Sequence, residues 1–146
     1  MRAFVTGSTG LLGNNLVRTL LKAGHEVVAL ARSATKGTRE LGDTSARIVI
    51  GDMADVAGFA DALEGVDVVF HTAAYFREYY APGDHSRIIE RINVDATMDL
   101  ARAAHSRGVA NMVDTSSSGI VGWNPTGLPA TNRRPLRRSR KPTCTS

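Results

Sequence analysis

Thr6-Gly7-Ser8-Thr9-Gly10-Leu11-Leu12-Gly13 lies near the start of the chain, and its reading decides the fold. Before it, Arg2-Ala3-Phe4-Val5-Thr6 is a short apolar run closed by glycine, the pattern of a buried parallel strand. After it, Leu12, Leu16, Val17, Leu20 and Leu21 share one helical face, and Gly24 stands where a C-terminal cap belongs. The glycines between strand and helix have separate tasks. Gly7 permits the tight turn, Gly10 lets the backbone approach a pyrophosphate, and Gly13 lets the helix pack against the sheet. A helix N-terminus placed there offers free N–H groups and a partial positive charge to an anion. The spacing is G-x-x-G-x-x-G, not the G-x-G-x-x-G of other dinucleotide-binding folds, and the strand–turn–helix context gives it meaning.

Outward from this elbow the pattern repeats. Glu26 to Ala31 and Arg47 to Ile50 read as strands, the latter stopped by Gly51-Asp52. A helix is expected over Asp55 to Leu63, with Val56, Phe59, Ala60 and Leu63 inward and Gly65 ending it. Asp67 to Thr72 reads as a fourth strand, and Tyr75 to Asp84 as a loop with three tyrosines. A long helix follows from His85 to Arg107, with Ile88, Ile92, Leu100 and Ala104 on its inner face and Gly108 ending it. Ala110 to Thr115 is a fifth strand. Strands alternating with helices imply βαβ units, right-handed crossovers and a parallel sheet.

Residues 1–122 are therefore expected to form one domain. Residues 123–146 differ: the last 22 residues hold four of the five prolines, and hydrophobic periodicity vanishes. This ending has the composition of a disordered tail, and its lack of acids also fits translation out of frame or an early truncation. The 42 % hydrophobic and 22 % charged content is that of a soluble globular chain. No apolar run approaches the roughly 18 residues that span a bilayer. The lone cysteine, Cys144, excludes an intrachain disulfide and fits a cytoplasmic location.

The net charge of +4 belongs to the tail. All 14 acidic residues lie between Glu26 and Asp114. Without Arg133, Arg134, Arg137, Arg138, Arg140 and Lys141, the remaining 12 cations fall short of them. The basic stretch lacks aromatic interleaving, so neither nucleic acid nor membrane is an expected partner.

Thr6-Gly-x-Thr-Gly-x-x-Gly13 resembles the extended short-chain dehydrogenase/reductase superfamily, the NAD-dependent epimerase/dehydratase family, and within it the dihydroflavonol-reductase-like branch. Further motifs carry the resemblance through about Trp123. Gly51-Asp52-Met53 looks like the family's adenine-contacting acid, and His71-Thr-Ala-Ala74 like its loop beside the nicotinamide-side ribose. Asn93-Val94 with Thr97 matches its Asn-Val-x-x-Thr pattern, and Thr115-Ser-Ser-Ser118 its catalytic serine segment. The resemblance implies a doubly wound parallel α/β sheet of the Rossmann type, with five strands present and the C-terminal substrate-binding part missing. It also implies hydride transfer between nicotinamide and a carbonyl or sugar-nucleotide substrate. Gly7, Ser8, Thr9, Gly10, Leu11, Leu12, Gly13, Arg32, Asp52, Met53, Thr72, Ala73, Ala74 and Thr115 are the residues expected to hold the cofactor, and Ser117 is the expected catalytic serine, with Ser118 as the alternative. Family dimers use the long helix, so a homodimer is compatible with the resemblance.

Where an NAD-preferring fold places an acid after strand two, this chain has Arg32, which can pair with a 2′-phosphate. Lys36 or Arg39 could add a second charge. NADP(H) is therefore the expected cofactor, with NAD(H) as the alternative. Asp55 is better placed than Asp52 to cap the next helix, which leaves Asp52 for the cofactor. His71 is expected to pack or to cap the strand end.

The family's proton donor, a tyrosine in Tyr-x-x-x-Lys, has no counterpart. Tyr75, Tyr79 and Tyr80 all precede the serine, and the only lysine after it is Lys141. The expected unit is a cofactor half-site: part of an oxidoreductase or epimerase, or alternatively a non-catalytic dinucleotide-binding module or an inactive fragment.

Overall fold

The structure is a computed structural model and describes residues 1–76 and 82–116. Met1–Thr115 form one unit and Ser116–Ser146 another. In the first, five strands run β1 (Arg2–Thr6), β2 (Glu26–Ala31), β3 (Arg47–Ile50), β4 (Val68–His71) and β5 (Asn111–Asp114). They pair in the order β3-β2-β1-β4-β5, every pair parallel. β1 and β2 occupy the middle and are buried on both faces, which is why their sequences are continuous apolar runs. β3 and β5 are the outer strands among those described, and Val113 on β5 is 51 % exposed.

Alternation along the strands divides the core into two layers. Phe4, Val28, Leu30 and Val69 face one side, where a 3-10 helix (Ala57–Leu63) and α4 (Ala96–Ser106) bring Phe59, Leu63, Leu100 and Ala104. Phe4 and Phe59 stack with centroids 5.8 Å apart. Ala3, Val5, Val27, Ala29 and Val68 face the other side, covered by Val17 and Leu20 of α1 (Leu11–Lys22) and Leu41 of α2 (Ala34–Leu41). The doubly wound parallel sheet expected from the sequence is present.

Several local expectations are corrected. Helix α2 went unread because Leu41 is its one large apolar residue and Gly37 interrupts it. That glycine is needed: a Cβ there would lie 2.9 Å from Ile48 Cγ2 and 3.2 Å from Ala31 Cβ. Leu12 is 54 % exposed and does not join Val17 and Leu20 in the core. The helix expected from Asp55 is the 3-10 helix, its entry marked by Gly58 N–H bonding to the Asp55 carbonyl and Phe59 N–H to that of Val56.

The long helix is interrupted. α3 (Ser86–Glu90) passes into a π-helical turn, Arg91–Asp95, and only then into α4. A π turn inserts a residue into the helical repeat, an irregularity that an unbroken 3.6-residue period does not anticipate. Leu100 and Ala104 beyond the turn are buried as expected, whereas Ile88 before it is 42 % exposed.

Leu100 is fully buried against both sheet and 3-10 helix. Leu100→Ala is expected to cost about 2–5 kcal/mol of stability. Val94→Ala, at a half-exposed position, should stay within about 0.5 kcal/mol. Urea unfolding followed by circular dichroism measures both.

Candidate functional site

From β1 the chain turns to β2 on one side and later returns through β4 on the other. The crevice between the C-terminal ends of β1 and β4 is therefore the topological switch point, where open α/β sheets bind ligands. Thr6 and His71 are register partners at this point.

The Gly7–Gly13 elbow sits directly on the crevice. Gly7 has φ +65°, and a Cβ there would lie 2.8 Å from the Thr72–Ala73 backbone. Gly13 meets the carbonyl of Gly7 so closely that no side chain fits. The helix thus packs on the turn itself rather than merely on the sheet. Gly10 N–H bonds back to the Gly7 carbonyl at 2.9 Å, and Gly10 caps α1 with no side-chain hydrogen bond. No acid occupies the first helical turn. The N–H groups of Leu11, Leu12 and Gly13 precede the intrahelical ladder, and Leu11 and Leu12 are exposed. Ser8 differs: its buried hydroxyl donates to the Leu30 carbonyl at 2.7 Å, tying the elbow to β2. A cleft of about 560 Å³ opens beside the elbow between α1 and α2, lined by Thr9, Gly10, Leu11, Asn14, Arg18 and Arg39 among others.

At the end of β2, Arg32 is exposed, and Ser33 caps α2 by accepting from Lys36 N–H at 3.3 Å. Arg18 is engaged by Asp43 in a double hydrogen bond that holds this carboxyl below the usual carboxylate range, and Arg39 is paired with Glu40. Among the described residues Arg32 and Lys36 form no ion pair, so their charges remain available beside a helix N-terminus without acids in its first turn.

As expected, it is Asp55, not Asp52, that reaches an N–H of the 3-10 helix. Asp52 Oδ1 accepts from Ala54 N–H at 2.9 Å, and Asp55 Oδ1 from Gly58 N–H at 3.2 Å. Asp52 stays exposed with its second oxygen open, while the Met53 side chain is buried in the core. Beyond β4, Thr72 donates its hydroxyl to the Thr6 carbonyl at 2.7 Å, and Ala73 and Ala74 continue along the crevice. Thr115 N–H bonds to the His71 carbonyl at 3.0 Å. Ser117 and Ser118 lie outside the described residues.

His71 is the buried titratable group of the site. Its Nδ1 lies 2.6 Å from Thr6 Oγ1 and its Nε2 3.0 Å from Thr97 Oγ1. Burial pushes its pKa down, against an upward pull from Asp114. Asn93, in the π turn, accepts from Tyr75 N–H at 2.7 Å and donates to the Tyr75 carbonyl at 2.9 Å. The motif residues Asn93 and Thr97 thus grip the crevice loop from the helix. Their Asn-Val-x-x-Thr spacing was the sequence signal for this, but their partners are distant in the chain.

The family model for the NAD dependent epimerase/dehydratase family matches residues 3–142. "Sterol demethylase protein B" of Methylococcus capsulatus is 40 % identical over 127 residues, 87 % of this chain and 38 % of that protein. A "3-beta-hydroxysteroid dehydrogenase" of Mycolicibacterium neoaurum is 34 % identical, covering 82 % of this chain and 33 % of the other. Among solved structures, the Bordetella bronchiseptica enzyme WbmG in complex with NAD and UDP superposes with a TM-score of 0.75 at 27 % identity, covering 93 % of this chain and 43 % of that one. The chain spans well under half the length of these relatives.

Gly13→Ala is expected to destabilise by about 1–3 kcal/mol, because the added methyl forces helix and elbow apart. Gly24→Ala tests the other glycine penalty: no atom lies within 4 Å of its Cβ position, so only its positive φ resists. Thermal unfolding of the two variants separates collision from backbone strain.

Proposed function

The chain belongs to the NAD-dependent epimerase/dehydratase family, and on that premise we propose that it forms the nicotinamide-dinucleotide-binding domain of an oxidoreductase or epimerase. The observation that carries this reading is the glycine-lined elbow at the switch point, with the uncapped amides of Leu11, Leu12 and Gly13. A diphosphate fits such a place because its charge meets the helix N-terminus and its oxygens meet N–H donors. Asp52, with an open carboxylate oxygen, would accept from the adenosine end, and Thr72–Ala74 would border the nicotinamide half.

NADP(H) is the favoured dinucleotide. Arg32, just after β2, and Lys36, in the first turn of α2, stand without ion pairs among the described residues, where a 2′-phosphate would need them. Bound cofactor would supply the hydride chemistry; these residues would bind and orient it. The family's serine falls at Ser117. With no Tyr-x-x-x-Lys in the sequence, the 146 residues would bind without transferring a proton.

For the whole protein we favour a steroid-type alcohol/carbonyl substrate over a sugar nucleotide, on the strength of the sterol and hydroxysteroid relatives. A homodimer and a cytoplasmic location belong to the same reading. No helix among the described residues is long and apolar enough to cross a membrane.

Titration of the purified, folded chain with NADPH and NADH tests the core of this. Both are expected to bind, NADPH more tightly, with no turnover of generic carbonyl substrates. Arg32→Ala should weaken NADPH about tenfold or more, equivalent to about 1.4 kcal/mol, and leave NADH within about threefold. Failure of both nucleotides to bind at millimolar concentration would overturn the reading.

A further inference from the structure

We propose that His71 is a positioning residue: its neutral imidazole, protonated on Nε2, closes a hydrogen-bond circuit that holds residues 73–75 in shape for the nicotinamide half of the dinucleotide. This rests on the dinucleotide reading above and adds to it a residue that acts without touching the ligand.

The circuit can be followed donor by donor. Ala73 N–H donates to Thr6 Oγ1 at 3.3 Å. The Thr6 hydroxyl donates to His71 Nδ1, and His71 Nε2–H donates to Thr97 Oγ1. Thr97 in turn donates to the Asn93 carbonyl at 3.1 Å, and the Asn93 side chain returns to the loop through both backbone groups of Tyr75. The path leaves the loop at residue 73 and re-enters it at residue 75. In passing it joins β1, β4 and the helix.

The directions follow from the end groups. An amide N–H can only donate, so Thr6 Oγ1 accepts from Ala73 and has its own proton to give. A carbonyl can only accept, so Thr97 gives its proton to Asn93 and accepts from the imidazole. The opposite tautomer would leave the Thr6 proton without an acceptor among the described residues, and so would the imidazolium, which has two donors and no acceptor. The groups facing the ring are the Thr6 hydroxyl from β1, the Thr97 hydroxyl from the helix and the Asp114 charge from β5, its register partner. Asp114 favours the charged ring, but burial outweighs it and the ring is neutral at neutral pH.

The circuit therefore has a pH limit. Because the folded pKa lies below the ordinary value of about 6.5, the intact arrangement persists at and above that pH and fails as acid protonates the ring. Grip on the nicotinamide half should fail with it, and grip on the adenylate half should not.

The test compares NAD⁺ with adenosine 5′-methylphosphate, whose phosphodiester, like the dinucleotide's diphosphate, does not titrate between pH 5 and 8. Calorimetric titrations of the full chain, with circular dichroism to confirm folding, give both affinities across that range. NAD⁺ affinity is expected to fall below about pH 6.5 relative to the methylphosphate. His71→Asn should abolish that difference. Thr97→Val, which removes a link and keeps the shape, should weaken NAD⁺ about tenfold at pH 7.5 while sparing the methylphosphate, and Thr97→Ser should restore it. Equal losses for both ligands in Thr97→Val, or a pH profile shared by both, would overturn the inference while leaving dinucleotide binding intact. A folded chain that binds neither ligand would remove the functional reading and this inference together.

Discussion

The contact between Gly13 and the carbonyl of Gly7 is the constraint on which the site depends. It brings the first turn of α1 directly onto the end of β1, so the amides of Leu11, Leu12 and Gly13 open onto the crevice. A side chain at residue 13 would force the helix outward. The same elbow is pinned from beneath by the buried Ser8 hydroxyl on the Leu30 carbonyl, and at its side by Thr72, whose backbone leaves no room for a side chain at residue 7. The shape of the elbow is a by-product of close backbone packing, held by small residues and two hydroxyls.

Around that elbow the polar groups are satisfied without being idle. Thr6 and His71 are buried at the meeting of β1 and β4, and each polar atom of their side chains has a partner. A buried group left unpaired costs about 1–3 kcal/mol, so a network in which each member is both donor and acceptor fixes one arrangement of the loop among many. The π turn belongs to the same economy of space: it places Asn93 over Tyr75 and, from residue 91, a guanidinium on the Ala54 carbonyl at 3.1 Å. One short irregularity in a helix thereby reaches the loops after both β3 and β4.

Much of this was legible in the order of residues. Five strands match their expected bounds to within a residue; β1 to β4 do so because each has a short run of Val, Ile, Ala, Leu or Phe, whereas β5, Asn-Met-Val-Asp, is placed mainly by the helix and Gly108 before it. Helix α2 was not legible, since burial by neighbouring elements rather than an apolar stripe holds Gly37 in place. Nor was the π turn, and Ile88 before it is exposed rather than buried with Leu100. Among the expected site residues, the glycines were marked by spacing, Arg32 by its place after the second strand and Asp52 by the family resemblance. Met53 came with Asp52 from the resemblance, yet its side chain lies in the core.

Local chemistry decided the elbow: glycine alone tolerates the backbone angle at residue 7 and the close approach at residue 13, and those demands act within a few residues. Long-range pairing decided the rest. His71 is buried with both ring nitrogens partnered only because Thr6 arrives from 65 residues before it and Thr97 from 26 residues after it. No pattern along the chain encodes those distances, because hydrogen-bond partners and burial are properties of elements brought together by the sheet.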